Sequence, residues 1–171
     1  MTRGARGLFA PDRVAVVGAT EREGSIGQAI MENLQDFDGE VIPLNPKRDE
    51  VFGIPAYDDI TDVDGEVDLA VIVVPPHIAV EATRQLAEHG VANVVVITAG
   101  FGETGSEGAA RERELQEIAS EYDLNLVGPN SLGVMSTPAK MNATFGPDAA
   151  LPGSMSFMSQ SGAFITAVID W

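Results

Sequence analysis

Three features of the 171-residue sequence predict an α/β fold built on an open, doubly wound parallel sheet. Short β-rich runs are apolar almost throughout, which is typical of strands buried on both faces of a sheet. Segments with apolar residues three and four positions apart follow several of these runs, as in amphipathic helices. Glycine, proline and hydroxyl side chains cluster after the strands, where open α/β sheets bind ligands. Hydrophobic residues make up 44% of the chain, enough for a full-sized core.

Six runs carry the strand pattern, and helical patterns lie between many of them. Leu115, Ile118 and Tyr122, for example, repeat at the spacing of one helical face. A polar stretch at 58–68 predicts one short helix. We predict strands at 14–17, 41–44, 69–74, 94–97, 124–127 and 155–158, and helices at 26–34, 78–89, 109–122 and from Gly162 onward.

The chain is strongly acidic, with 26 acidic against 10 basic residues and a formal net charge of -16. Such a charge repels nucleic acid and anionic lipid, which argues against a role in binding polyanions or membranes. Lys47 and Lys140 are the only lysines, and acidic, lysine-poor surfaces suit concentrated salt. We therefore interpret the bulk charge as a halophilic adaptation for solubility, without catalytic meaning.

The composition also limits location and chemistry. The basic start of the chain is not followed by an apolar segment, and the longest apolar run, 69–76, is too short to cross a bilayer. We therefore expect a soluble, cytoplasmic protein. The absence of cysteine excludes disulfides and thiolate catalysis. His77 and His89 lack the spaced partners of a metal site, so no metal is predicted.

A glycine-rich loop follows the first predicted strand. Its glycines allow a ligand to approach the backbone closely, and the helix that follows offers free N–H groups and a partial positive charge. This arrangement predicts a phosphate site, although a plain strand–helix turn has the same pattern. The loop is longer than the dinucleotide motif Gly-x-Gly-x-x-Gly. The candidate binding residues are Gly18, Ala19, Thr20, Arg22, Gly24, Ser25, Ile26 and Gly27.

The second predicted strand ends in Asn45-Pro46-Lys47-Arg48. NAD-binding folds usually place an acidic residue here, to accept from the ribose hydroxyl. Adjacent basic residues suit a ribose phosphate better. NADP and coenzyme A both carry such a phosphate, and a solvated turn is a third reading. Asn45 and Lys47 are the binding candidates.

Further candidates follow the later strands. Two consecutive prolines after the third strand could line an adenine or pantetheine slot, and the turn after the last predicted strand resembles a phosphate cradle more than the nucleophile elbow Gly-x-Ser-x-Gly. An ordinary helix N-cap is the alternative for that last turn. The candidates are Val74, Pro75 and Pro76; Thr98, Ala99 and Gly100; and Ser159, Gln160, Ser161 and Gly162.

Seven segments in register extend across nearly the whole chain. Together they resemble the CoA-binding N-terminal domain of the NDP-forming acyl-CoA synthetases, which include ADP-forming acetate–CoA ligases and the succinyl-CoA synthetase α subunit. The segments are Val16-Val17-Gly18-Ala19-Thr20, Gly24-Ser25-Ile26-Gly27, Leu44-Asn45-Pro46-Lys47, Val73-Val74-Pro75-Pro76, Ile97-Thr98-Ala99-Gly100-Phe101, Gly128-Pro129-Asn130-Ser131-Leu132-Gly133 and Ser159-Gln160-Ser161-Gly162-Ala163.

The resemblance implies a Rossmann-like domain that binds CoA or acyl-CoA. The family couples thioester cleavage to NDP phosphorylation through an acyl phosphate and a phosphohistidine. By resemblance, the loop at 18–27 and Lys47 hold the CoA nucleotide, segment 73–76 lines its slot, and the turn at 159–162 faces the phosphohistidine. That histidine is expected beyond Trp171, so no catalytic residue is expected within this chain.

The resemblance also implies partners and domains. ADP or ATP with Mg²⁺ would bind an ATP-grasp domain or β subunit, and we expect the full-length protein to be an oligomer. The domain prediction is a CoA-binding unit at 1–137, a proline-rich linker at 138–153, and the first strand and helix of a truncated second, flavodoxin-like α/β domain at 154–171. The alternatives are an NADP-binding oxidoreductase domain and the CoA-sensing regulatory domain of a protein acetyltransferase.

Overall fold

The computed structural model describes residues 4–146 and 149–170. Its strands are β1 (Arg13–Val17), β2 (Glu40–Leu44), β3 (Glu50–Val51), β4 (Ile54–Pro55), β5 (Leu69–Ile72), β6 (Asn93–Val96), β7 (Asn125–Val127), β8 (Gly133–Ser136) and β9 (Met141–Thr144). Its α-helices are α1 (Arg6–Phe9), α2 (Ile26–Asn33), α3 (Pro76–Glu88), α4 (Ser106–Glu121) and α5 (Gly162–Asp170). Short 3₁₀ helices span Ile60–Asp62, Gly102–Thr104 and Thr137–Ala139.

Five parallel strands form the central sheet in the order β2-β1-β5-β6-β7. In the pairing register, Val14 lies opposite Val41 on one side and Leu69 on the other. The chain therefore starts in the interior of the sheet, moves to the β2 edge, and crosses back over β1 to β5. This reversal opens a crevice at the carboxyl ends of β1 and β5, the usual ligand position in such sheets. The predicted doubly wound, Rossmann-like fold is confirmed.

The hydrophobic core has two parts, one on each face of the sheet. Alternate residues of the central strands pack against α3 and α4 on one face, where Leu115 and Ile118 are wholly buried. The intervening residues pack with Ile30 and Met31 of α2 on the other face. Burial on both faces explains why the strand sequences are continuously apolar rather than alternating.

The predicted elements of this unit correspond closely to the observed ones. Helix α3 begins at Pro76, two residues before the predicted start, because a proline is well tolerated in the first helical turn. Strand β5 ends at Ile72 rather than at residue 74, since the chain there turns toward α3. The polar stretch at 58–68 contains the 3₁₀ helix Ile60–Asp62. No helix in the described ranges is long and apolar enough to cross a membrane.

Two antiparallel hairpins were not predicted. Strands β3 and β4 form one beside the β2 edge, and β8 and β9 form the other. The second hairpin changes the interpretation of 138–153 as a linker, because all four residues of β9 are buried. Its Met141 and Ala143 belong to the same core cluster as α2. Residues Pro147 and Asp148 of the proposed linker lie outside the described residues, as do residues 1–3 and Trp171 of the proposed domains.

The predicted sixth strand at 155–158 is wrong. These residues form no strand, and the side chains of Met155 and Met158 are 96% and 91% exposed. The sequence is apolar enough for a strand, but no pairing in the described part of the chain includes it. The helix predicted from Gly162 is confirmed as α5.

Replacing a buried residue of the β9 strand tests whether this segment is part of the core. Met141 is 1% exposed, so Met141→Ala should lower the free energy of unfolding by about 2–5 kcal/mol, through lost apolar burial and a residual cavity. Urea denaturation measures this change. Met155→Ala is the matched control and should change stability by less than about 0.5 kcal/mol. Equal, small effects at both positions would show that 141–144 behaves as a linker.

Candidate functional site

The loop after β1 is shaped by a glycine at the end of the strand. Gly18 has a φ of +94°, and a Cβ built on it would lie 2.9 Å from Cγ1 of Val74. Its N–H donates to the carbonyl of Leu44 at 2.9 Å, which ties the loop to the end of β2. Only glycine therefore suits this point, where the ends of β1, β2 and β5 meet.

Helix α2 begins directly against this loop. A Cβ on Gly27 would collide with the carbonyl oxygen of Gly18, so the helix start can sit this close only because Gly27 has no side chain. Ser25 is the N-cap, and its Oγ accepts from the N–H of Gln28 at 3.2 Å. Within the described residues, the N–H groups of Ile26 and Gly27 donate to no protein atom. These free donors and the helix dipole make the start of α2 suited to an anion.

Asn45 joins the loop after β2 to the loop after β1. Its Nδ2 donates to the carbonyl of Ala19 at 2.7 Å, and its Oδ1 accepts from the N–H of Lys47 at 3.0 Å. Its own N–H donates to the carbonyl of Tyr57 at 2.8 Å. Both ends of the side chain are thus engaged with the protein. The structure places Asn45 as a clamp that holds the backbone at Lys47, and Asn45 also lines the groove of the candidate site.

Unpaired cations gather at this edge. Arg22, Lys47 and Arg48 are exposed and form no ion pair with any described residue. Elsewhere, Arg13 and Lys140 are paired with Glu40 and Asp38, and the pKa of each is raised first of all by the hydrogen bond to that carboxylate. In a chain of charge -16, positive groups left without partners around one loop favour a ligand with phosphates.

A groove of about 230 Å³ lies between the end of β2 and helix α3. Its walls are mainly apolar and it is open to solvent beside the glycine loop. The polar residues that line it include Asp58, Asp59, Glu81 and Gln85. The apolar lining residues include Val17, Leu44, Pro46, Val74, Ile78 and Leu86. A flat aromatic base fits this combination of many apolar and a few polar lining residues.

The loops after β5 and β6 form a second wall. Thr98 donates through Oγ1 to the carbonyl of Val74 at 2.7 Å, which links the two loops. A Cβ on Gly100 would lie 2.8 Å from Cγ of Pro76, so the backbone of Gly100 packs on the first turn of α3. Ala99 projects from this turn and is exposed. The loop after β7 joins in, because Asn130 donates its N–H to the carbonyl of Thr98 at 2.9 Å.

Residues 12–137 match the protein family described as a CoA binding domain. The chain belongs to this CoA-binding family. It is 48% identical over 164 residues to acetate–CoA ligase [ADP-forming] I of Archaeoglobus fulgidus, covering 96% of this chain and 24% of the relative. It is 43% identical to the α subunit of acetate–CoA ligase [ADP-forming] II of Pyrococcus furiosus, covering 95% of this chain and 35% of that subunit.

Solved structures of related proteins also superpose closely on this chain. The acetyl-coenzyme A synthetase 1 of Ca. Korarchaeum cryptofilum, in complex with phosphate and ADP, superposes with a TM-score of 0.92 at 40% identity, covering 98% of this chain and 36% of that one. A crystal structure from Pyrococcus horikoshii gives a TM-score of 0.93 at 42% identity, with 98% and 38% covered. The chain thus spans roughly a quarter to two fifths of the length of these relatives.

The turn before α5 lies at the same edge of the CoA-binding domain. A Cβ on Gly162 would lie 3.5 Å from Cβ of Leu132, in the loop after β7. The Oγ of Ser161 accepts from the N–H of Phe164 at 3.3 Å, and the Oγ of Ser159 accepts from the N–H of Ser161 at 3.0 Å. Ser161 is therefore the N-cap of α5, Ser159 closes the turn before it, and Gln160 is exposed between them. A phosphate at this turn stays a prediction.

The two histidines lie at opposite ends of α3. His77 is exposed in its first turn, and His89 is its C-cap, where the N–H donates to the carbonyl of Gln85 at 2.9 Å. In residues 4–146 and 149–170, no group of three or more histidine, aspartate and glutamate side chains is placed to hold a metal ion.

Sequence patterns did not indicate every polar group of the site. Of the groove carboxylates, Asp58 and Asp59 lie in a polar stretch with no motif, and α3, which carries Glu81, brings the three together by packing against that stretch. Glu103 was also missed: its carboxylate accepts from the N–H groups of Gly100 and Phe101. A glutamate three residues after a glycine is the available signal, but this spacing is common in turns.

Adding a methyl group at the start of α2 tests the close approach of helix and loop. Gly27→Ala should displace the helix from the carbonyl of Gly18, and both the melting temperature and the binding of CoA should fall. Thermal melting and calorimetry measure the two effects. Ile26→Ala is the control for folding, because Ile26 is 43% exposed and its truncation should leave the melting temperature nearly unchanged. A Gly27→Ala variant that melts and binds like the unchanged chain would contradict this geometry.

Proposed function

We propose that the chain is the CoA-binding part of an ADP-forming acid–CoA ligase. One observation carries the proposal. The start of α2, which packs closely on the loop after β1 through Gly27, lies near three unpaired cations at the point where the strand order of the sheet reverses. The names of its relatives supply the reaction class. The whole enzyme would convert acyl-CoA, ADP and phosphate into acid, CoA and ATP, through an acyl phosphate and a phosphohistidine. The acid, acetate in the names of these relatives, is not selected by any residue identified in this chain.

The nucleotide end of CoA fits the β1–β2 side of the site. Its diphosphate would accept from the free N–H groups of Ile26 and Gly27, and Lys47, with Arg48 and Arg22 nearby, would neutralise the 3′-phosphate. The adenine would enter the groove between β2 and α3. In this arrangement the phosphates meet the unpaired cations, and the base meets the apolar walls.

The pantetheine arm would run from the glycine loop across the carboxyl ends of β5 and β6. Strand β2 is the edge of the sheet, so a ligand held over β1 with its nucleotide toward β2 extends the other way. Along this path it would pass Val74, Pro75 and Pro76, and then the turn formed by Thr98, Ala99 and Gly100. These residues bind and orient the ligand, and none of them is proposed to react with it.

The remaining parts of the reaction would lie outside this chain. We propose that the reactive histidine, and the ATP-grasp domain or β subunit that holds ADP or ATP with Mg²⁺, belong to other segments of the enzyme. The turn at Ser159, Gln160, Ser161 and Gly162 would present the start of α5 to the phosphohistidine. Residues 154–171 would then begin a second domain, and the CoA-binding unit would extend through β9. The assembled enzyme would be an oligomer in the cytoplasm.

Replacing one lysine tests the contact with the 3′-phosphate. Lys47→Ala should lower the affinity for CoA about tenfold, toward that for dephospho-CoA, because a charge-assisted contact is lost from a solvent-exposed position. Isothermal calorimetry with CoA and dephospho-CoA measures both affinities. Lys140→Ala is the matched control, since Lys140 is already paired with Asp38 in the chain. An unchanged ratio of the two affinities in Lys47→Ala would move the phosphate contact elsewhere.

Including NADP and NAD in the same titrations separates the CoA reading from that of an oxidoreductase. The basic pair at the end of β2 would suit the 2′-phosphate of NADP as well as the 3′-phosphate of CoA. The proposal expects tighter binding of CoA than of NADP. The reverse order would support the oxidoreductase domain.

The acidic surface leads to a separate proposal, that the protein works in concentrated salt. A net charge of -16 destabilises the folded chain by self-repulsion, and salt screens that repulsion. The melting temperature should therefore rise by several degrees when KCl is raised from about 0.1 M to about 1 M, where the screening length falls from about 10 Å to about 3 Å. A melting temperature that stays constant or falls would contradict this interpretation.

A further inference from the structure

The side chain of Glu103 folds back onto the turn that follows β6. Its Oε1 accepts from the N–H of Gly100 at 2.6 Å, and its Oε2 accepts from the N–H of Phe101 at 3.2 Å. The backbone N–H of Gly100, followed by that of Glu103 itself, lowers the pKa of this carboxyl below its ordinary value. The group is therefore ionised at neutral pH, and both contacts are charge-assisted hydrogen bonds.

The turn held by Glu103 is also anchored in the core. Phe101 is completely buried in the cluster beneath α3 and α4. Its carbonyl accepts from Thr104 through both N–H and Oγ1, at 2.9 and 2.8 Å. The next N–H, of Gly102, donates to Oε2 of Glu112 on α4 at 2.9 Å. The successive N–H groups of Gly100, Phe101 and Gly102 therefore all donate to carboxylates, and these hydrogen bonds stabilise the conformation of the turn.

This turn forms part of the wall along the pantetheine path. Gly100 has a φ of +105° and packs its backbone on Pro76, the first residue of α3. Thr98 bonds to the carbonyl of Val74 on the same wall. Glu103 itself is exposed and does not line the adenine groove. Its effect on a ligand would pass through the placement of Gly100 against Pro76.

We propose that Glu103 is a positioning residue for the thiol-bearing arm of CoA, and this inference rests on the proposed function. By holding the N–H groups of Gly100 and Phe101, its carboxylate keeps the turn against Pro76, so that the slot for the arm exists before the ligand binds. The nucleotide half of the site, at the ends of β1 and β2, does not depend on Glu103. The inference therefore requires that the loss of Glu103 affects one part of the ligand and spares the other.

Calorimetry with two ligands tests this requirement. CoA carries the arm, whereas adenosine 3′,5′-bisphosphate has the adenine and the 3′-phosphate but no arm. Glu103→Ala should weaken CoA binding about three- to tenfold and leave the affinity for the bisphosphate unchanged. Glu103→Gln, which keeps the shape but loses the charge, should give a smaller loss of the same kind.

A neighbouring glutamate provides the matched control. Glu112→Ala removes the carboxylate bonded to Gly102, which is farther along the turn from the contact with Pro76. It should change either affinity less than twofold. Melting temperatures of all three variants show whether they are folded; since Glu103 is exposed and Glu112 is only half-buried, we expect small shifts.

The possible results separate the inference from the function on which it rests. Unchanged CoA affinity in Glu103→Ala would overturn the inference, and so would an equal loss for both ligands, because that result indicates a general structural role. Failure of the unsubstituted chain to bind either ligand would overturn the proposed function, and the inference with it. A loss confined to CoA supports both.

Discussion

The close approach of helix α2 to the end of β1 is the constraint on which the candidate site depends. A side chain at position 27 would collide with the carbonyl oxygen of Gly18. The helix can therefore start this close to the strand only if residue 27 is glycine. The helix start then points its free N–H groups at the crevice between β1 and β5. The two-sided core holds β1 in the interior of the sheet, and thereby keeps this contact rigid.

Charge distribution adds selectivity to this geometry. The chain carries a net charge of -16, and Arg13, Arg84, Arg111 and Lys140 are engaged with carboxylates. Around the glycine loop, by contrast, Arg22, Lys47 and Arg48 have no such partner among the described residues. An anion that approaches this otherwise acidic surface meets three uncompensated cations close to the start of α2. Phosphate groups can therefore be bound locally although the molecule as a whole repels anions.

The sequence predicted the central sheet well because its three interior strands, β1, β5 and β6, are buried on both faces and are apolar almost throughout. The hairpin of β8 and β9 gave no such signal. Its second strand contains the buried polar residues Asn142 and Thr144, whose side chains bond to each other, with Oγ1 of Thr144 donating to Oδ1 of Asn142 at 2.7 Å. Asn33 of α2 donates to the carbonyl of Thr144 at 2.8 Å, and a contact between residues so far apart in sequence cannot be predicted from a local pattern.

The opposite error occurred at 155–158, where an apolar pattern suggested a strand but the described chain offers no neighbouring strand. For the site, the motifs identified the loops but not how they are joined. Asn45 was predicted as a ligand contact, and it lines the groove, but its role in clamping two loops together was not predicted. The part played by Glu103 depends on where a side chain folds back, which spacing alone does not reveal.

A crystal structure of this chain soaked with CoA tests the central claim most directly. The account predicts the diphosphate within hydrogen-bonding distance of the N–H groups of Ile26 and Gly27, the 3′-phosphate beside Lys47, and the arm passing Pro76. A CoA molecule bound in a different place, with the start of α2 left free, would contradict it.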